Sequence, residues 1–185
     1  MTLIIYMEYF NLEICGLRRQ LPIVYLGPKM RIASLSLLGD VELVEKASIE
    51  LLKLLKKVDY DYLVGPEVKV VPILHEMSRL IGKKHYIVCR KSIKGYMINP
   101  LILHPNSPFK KLRSLIIDGE DQKLVAGKKV VVVDDVVTTG TTIAAVTELM
   151  QKAGAQVVAA CSILKQGETE IKNLLHIGNL PIFTG

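Results

Sequence analysis

The stretch that most limits how this chain can fold is VVVVDDVVTTGTT, residues 130–142. Four consecutive valines leave no polar alternate, so the run does not read as a strand with one wet face. A short β-branched run of this kind reads as a strand buried on both sides, as inside a parallel sheet. Two acids follow, Asp134 and Asp135, and then a loop of Thr138, Thr139, Gly140, Thr141 and Thr142. A helical pattern continues through Ile143, Ala144, Val146, Leu149 and Met150. In open α/β sheets, ligands bind beyond the carboxyl ends of the strands, where this loop falls. The new helix brings unpaired N–H groups and partial positive charge, which suit a phosphate. Gly140 permits φ > 0 and close backbone approach, and the threonine hydroxyls add donors.

Asp134 and Asp135 are not expected to grip that same phosphate, because like charges at contact distance repel. Acceptor groups beside a phosphate cradle suit vicinal hydroxyls, as on a ribose that carries the phosphate. The residue chemistry therefore points to a ribose 5-phosphate site. The plainer alternative is a buried strand, a capped helix start and two solvated aspartates.

The 185 residues fit one domain with a substantial core, or a core with a small appendage. Half are hydrophobic, yet no apolar run reaches the length of a membrane span. The start, MTLIIYMEYFNLEI, lacks a basic leader and is interrupted by Glu8 and Glu13, so no signal peptide and a cytoplasmic location are expected. Cys15, Cys89 and Cys161 are scattered on apolar stretches and read as reduced thiols. A net charge of +6 suits an anionic partner. The basic residues are dispersed without a nucleic-acid reader motif, so a substrate with several phosphates is expected, with neither nucleic acid nor membrane as partner.

Along the chain, residues 2–26 read as two strands around a turn near 16–19, and RIASLSLLGD as a further extended piece. This gives a β-rich front over residues 1–40, a hood ahead of an α/β body over 41–185. Asp40 can cap a helix over about 41–57. YDYLVG, 60–65, reads as a strand followed by Glu67, Val68 and Lys69 and a helix to about Leu80. HYIVCR, 85–90, is a third strand that leads into Arg90, Lys91 and Lys94, cations suited to a diphosphate. Residues 95–114 carry three prolines and no clean period, the mark of an irregular functional loop. Within it His104 is a candidate proton donor or simply an exposed side chain. The chain then reaches the valine strand, a further parallel strand over 156–164, a short strand over 174–177 and the tail LPIFTG. His75 and Glu76 have no second ligand set, and neither a G-x-G-x-x-G nor a G-x-x-x-x-G-K-[ST] motif occurs.

The valine run, acid pair and TTGTT loop resemble the signature of the type I phosphoribosyltransferases. IASLSLLGD, GPEVK, YIVCRKSIKGYM, IIDGEDQKLVAGKK and LPIF resemble, in order, the branch related to adenine phosphoribosyltransferase. The resemblance implies an α/β fold with a central, mainly parallel sheet flanked by helices and a small N-terminal β-rich hood. It implies transfer of a 5-phosphoribosyl group from 5-phosphoribosyl 1-diphosphate (PRPP) to a purine base, adenine giving AMP and pyrophosphate, with Mg²⁺ held by PRPP and water and a homodimer.

By the same resemblance Asp134 and Asp135 take the ribose hydroxyls, and residues 138–142 wrap the 5-phosphate. Glu67, Val68, Lys69, Arg90, Lys91 and Lys94 meet the pyrophosphate, and 95–114 stands where the family has its mobile catalytic loop. The base is expected near Met30, Arg31 and Ile32. Two positions depart from the family pattern: Thr141 and Val70 stand where many members have glycine. Two alternatives stay open. One is an orotate enzyme, since Arg90-Lys91 with Lys94 also fits R-K-x-x-K. The other is a regulator that senses PRPP or purines without catalysis.

Overall fold

The computed structural model describes residues 8–27, 30–104, 114–167 and 173–184. Among them the elements run β1 (Tyr9–Ile14), β2 (Leu17–Gly27), β3 (Met30–Ala33), α1 (Val41–Leu54), β4 (Tyr62–Pro66), α2 (Val71–Leu80) and β5 (Ile87–Cys89). They continue with β6 (Leu101–Leu103), β7 (Leu115–Ile117), α3 (Gly119–Val125), β8 (Lys129–Val137), α4 (Thr141–Lys152), β9 (Gln156–Gln166), β10 (Leu174–Leu180) and β11 (Ile182–Thr184).

The central sheet has the order β10-β9-β8-β4-β5, and each neighbouring pair is parallel. The valine strand lies in its middle, fully buried from Val130 to Val133. Side chains alternate across a strand, so the four valines are shared between two cores. Val131 and Val133 join Leu43, Ala47 and Leu51 of α1, Ile73 and Met77 of α2, and Leu12 and Leu21 of the front sheet. Val130 and Val132 join Val125 of α3, Val146 and Leu149 of α4, and Ile117 of β7. Fully burying a valine is worth about 1.5 kcal/mol or more, so a polar residue anywhere in this run would damage one face or the other. On the neighbouring β4, a side chain at Gly65 would start 2.5 Å from the Val133 carbonyl oxygen. Glycine is what lets the two strands and α2 come this close.

Asp40 caps α1 as expected, its carboxylate accepting from the Leu43 N–H at 3.2 Å. The same carboxylate takes two bonds from the Arg19 guanidinium, at 2.6 and 3.0 Å, which ties β2 to the start of the helix. Arg19 holds the Asp40 carboxyl below the usual carboxylate range. The helix stops at Leu54, ahead of the expected residue 57.

The hood sheet runs β1-β2-β3-β11 with antiparallel neighbours. Its first turn is at Cys15 and Gly16, both at positive φ, one step earlier than expected, which places Arg18 and Arg19 inside β2. Its fourth strand comes from the far end of the chain. β11, in the segment expected to be a tail, pairs Ile182 with Ile32 and Phe183 with Arg31.

Within the segment 95–114, expected to be irregular, residues 101–103 form a strand. β6 pairs antiparallel with β7, Leu101 opposite Ile117 and Leu103 opposite Leu115. The Ile98 N–H donates to Asp118 Oδ1 at 3.0 Å and the Gly119 N–H to the Ile98 carbonyl at 3.1 Å, so the approach to this pair is pinned to the start of α3. Residues 105–113, most of the second half of the expected catalytic loop, lie outside the described residues. No helix among the described residues is long and apolar enough to cross a membrane.

Candidate functional site

The carboxyl ends of β4 and β8 open into a cleft of about 530 Å³. Its wall includes Glu67 and Lys69 from the loop after β4, Lys91 after β5, and Asp134, Asp135 and Thr142 from β8 and α4. A smaller hollow of about 180 Å³ beside it is formed by Asp134 and residues 136–142. The two hollows share Asp134, Val136 and Thr142. The sequence-predicted ribose and phosphate residues are thus brought together at one sheet edge.

Gly140 precedes α4 with φ 75°, in the left-handed region that favours glycine. It offers no side chain to cap the helix, so no side-chain cap bond closes the start of α4 beside the smaller hollow. The Thr139 and Thr141 hydroxyls are 2.8 Å apart, and Thr139 Oγ1 accepts from the Thr141 N–H at 3.4 Å. Hydroxyls and amides gathered around an αL turn form a concave surface suited to an anion.

The two acids differ in environment. Strand β8 continues to Val137, so both sit within it rather than beyond its end, and their side chains diverge. Asp134 is buried, and its Oδ1 accepts from the Asp135 N–H at 2.9 Å. Burial, followed by the charge of Asp135, raises its carboxyl well above the usual range. Asp135 reaches the cleft, its Oδ2 3.6 Å from the Lys69 ammonium. Lys69 is anchored as well by donation to the Leu35 carbonyl at 2.6 Å, in the segment that links hood to core.

The expected cation cluster is divided. Glu67, joined to Val68 by a cis peptide bond, accepts from the Lys91 N–H at 2.8 Å and lies 3.4 Å from Arg90 Nη1. The Arg90 guanidinium donates to the Tyr96 hydroxyl and lies over the Tyr96 ring, 5.8 Å from its centroid. Lys94 donates to the Ser92 hydroxyl at 2.8 Å. Of the three cations, Lys91 lines the cleft and Arg90 and Lys94 do not. Val68 is exposed at the cleft wall.

Met30, Arg31 and Ile32 lie on β3 in the hood and line neither hollow. Arg31 donates to Glu8 at 2.6 Å and lies over the Tyr25 ring. The His104 ring is 2.7 Å from the Ser114 hydroxyl. Glu76 pairs with Arg79 at 2.7 Å, and His75 meets the Tyr86 ring edge-on. Among the described residues no group of three or more His, Cys, Asp or Glu side chains is placed to hold a metal. Tyr96 is a partner that sequence reasoning missed, because a tyrosine in an irregular loop carries no signal of which cation it will meet.

With that geometry established, comparison with known proteins gives a consistent family. Residues 40–177 match the phosphoribosyl transferase domain. The hypoxanthine/guanine phosphoribosyltransferase of Methanobacterium lacus is 30% identical over 157 residues, 67% of this chain and 80% of that protein. The adenine phosphoribosyltransferase of Desulforamulus reducens is 28% identical over 149 residues, 80% of this chain and 83% of that protein. The orotate phosphoribosyltransferase of Thermotoga maritima is 32% identical over 145 residues, 72% of this chain and 63% of that protein. In fold, the chain resembles the adenine phosphoribosyltransferase of Thermoanaerobacter pseudethanolicus, with TM-score 0.65, 21% identity and coverage of 77% of this chain and 83% of that one. The parallel sheet, the hood and the matched domain agree, and the chain belongs to the type I phosphoribosyltransferase family of pentosyl-transferring enzymes.

Proposed function

We propose that the protein transfers the 5-phosphoribosyl group of PRPP to a purine base, adenine first among the candidates, with release of pyrophosphate. The observation that carries this reading is the meeting of Asp134, Asp135, Lys69, Lys91 and the αL loop around Gly140 at one sheet edge. The loop holds the 5-phosphate through amides and threonine hydroxyls, and the acids orient the ribose hydroxyls. The base nitrogen attacks the anomeric carbon, the bond from that carbon to the diphosphate oxygen breaks, its electron pair leaves with pyrophosphate, and the proton of the base ring passes to water or to the departing pyrophosphate. Lys91, at the cleft wall, and Lys69, beside Asp135, offset the negative charge that grows on the leaving group. Glu67 holds the chain of Lys91 and the head of Arg90 in place for this task.

Carboxylate oxygens are the hard donors that Mg²⁺ takes. Asp135 and Glu67 are already engaged by Lys69, Arg90 and the Lys91 backbone N–H, so Mg²⁺ would be held mainly by PRPP and water. When bound, Mg²⁺ neutralises diphosphate charge. The base site is assigned to the hood, near Met30, Arg31 and Ile32. A homodimer, with residues 67–94 near the partner, and a cytoplasmic location complete the reading. Three free cysteines, two of them buried, support that location.

A second reading, orotate as the base, draws on the 32% identity with the orotate enzyme. A panel of adenine, hypoxanthine, guanine, xanthine, orotate and uracil, each with PRPP and Mg²⁺, tests both by pyrophosphate release. Turnover with adenine above all others is expected. Turnover with orotate alone replaces the purine assignment, and binding of PRPP without any release makes the protein a sensor.

A further inference from the structure

Gln166 ends β9 and is almost fully buried, although it carries a polar amide. Three partners from distant parts of the chain surround it. Its Nε2 donates to the Pro181 carbonyl at 3.3 Å and to the Ala33 carbonyl at 3.5 Å. Its Oε1 accepts from the Thr138 hydroxyl at 3.4 Å. Ala33 ends β3, Pro181 joins β10 to β11, and Thr138 opens the loop around Gly140. One amide therefore stands between the two hood strands and the proposed phosphate loop.

The placement follows from register. In the parallel pairing of β8 with β9, Val137 lies opposite Lys165, so the next residues, Thr138 and Gln166, are set side by side. The end of β9 is knitted to the hood as well. The Gly167 N–H donates to the Leu180 carbonyl at 3.1 Å, and a side chain at Gly167, where φ is 78°, would start 2.6 Å from Ile182 Cδ1. A buried amide is costly unless its donors and acceptor are met, and here each partner lies at the long end of the hydrogen-bond range. Movement of Thr138 toward an anion therefore changes the bond that Gln166 can make to the hood, and movement of the hood changes the bond available to Thr138.

From this geometry we infer that Gln166 is a positioning residue that couples the hood to the 138–142 loop. Occupancy of the loop by a sugar phosphate tightens β3 and β11, and an ordered hood favours the occupied loop. The inference rests on the reading of that loop as the 5-phosphate site. Linkage of this kind is reciprocal, so either site can report it.

The test uses ribose 5-phosphate, which carries no base to touch the hood. Its affinity is measured by calorimetry, and amide hydrogen exchange of β3 and β11 is followed with and without it. In the parent, saturation is expected to slow exchange in both strands at least threefold. In Gln166→Leu the ligand-dependent slowing should fall by half or more while ribose 5-phosphate still binds. Gln166→Glu, which keeps an acceptor for Thr138 and loses the amide donors, should do the same if the leucine variant folds poorly. A merely structural role would raise hood exchange equally with and without ligand, and that result overturns the coupling. Binding to the parent with no change in β3 or β11 overturns it too, and leaves the phosphate site standing. Failure of the parent to bind ribose 5-phosphate overturns the site reading and the coupling together.

Discussion

Glu67 Oε1 accepts the Lys91 backbone N–H at 2.8 Å. This bond joins the loop after β4 to the loop after β5, and the other carboxylate oxygen lies 3.4 Å from the Arg90 guanidinium. Glu67 thus organises cations, whereas an anion at that position would repel a bound diphosphate if it stood alone. Glu67→Ala frees both partners. A lost hydrogen bond to a charged group is worth about 1.5–3 kcal/mol, so kcat/KM for PRPP is expected to fall roughly tenfold or more. Glu67→Gln, which keeps an acceptor for the Lys91 N–H, should lose less. Steady-state kinetics of the two variants checks the order.

Lys91 and Lys94 are expected to separate. Lys91 stands at the cleft wall, while the Lys94 ammonium is bonded to Ser92 away from it. Lys91→Ala should lower kcat by about 10²-fold, the scale of one lost pre-organised donor. Lys94→Ala should fall by much less. Equal losses in single-turnover pyrophosphate release would show that Lys94 reaches the leaving group.

At Gly140 a side chain must adopt φ near 75°. Left-handed backbone costs other residues roughly 1–2 kcal/mol, and a β-branched side chain also crowds the amides around the smaller hollow. Gly140→Val is expected to abolish ribose 5-phosphate binding in a titration. Retention of parent affinity would place the phosphate elsewhere.

The raised carboxyl of Asp134 sets a pH signature. Its pKa in the folded chain exceeds the unfolded value because of burial, then because of Asp135. The folded state therefore binds the proton more tightly, and stability is greatest below the unfolded value of about 4. It falls as pH rises from there toward the folded pKa. Asp134→Asn removes this loss, so its Tm relative to the parent should rise with pH, in scans from pH 4 to pH 8. A Tm difference independent of pH would show that the Asp134 carboxyl titrates normally.

Activity should move the other way. Asp134→Asn together with Asp135→Asn is expected to lose PRPP affinity by at least about 1.5–3 kcal/mol, the worth of one charged acceptor, with the fold retained. Normal PRPP affinity in the double variant would remove the ribose from these acids.

Local chemistry in the sequence was enough for the centre of the molecule. A run of four valines has one economical solution, a strand with apolar matter on both faces, and Val130 to Val133 divide between the two cores accordingly. Asp40 could be read as a cap because capping is a contact across three residues. Gly140 among threonines could be read as an anion turn because one residue's φ decides it.

Tertiary structure decided what depends on distant partners. β6 and β7 are three residues each, too short to show a period, and exist through their pairing with one another. β11 looked like a tail until closure of the chain set Ile182 against Ile32. The division of the cations was equally invisible: Arg90 turns to Glu67 and Tyr96 while Lys91 lines the cleft. Gln166 stands 133 residues from Ala33 in sequence, and its role at the join of hood and loop follows from the register of β9 against β8. Local propensity and periodicity reach only a few residues along the chain. Hydrogen bonds and ion pairs formed across the fold depend on which side chains the packed core brings within about 3 Å of one another.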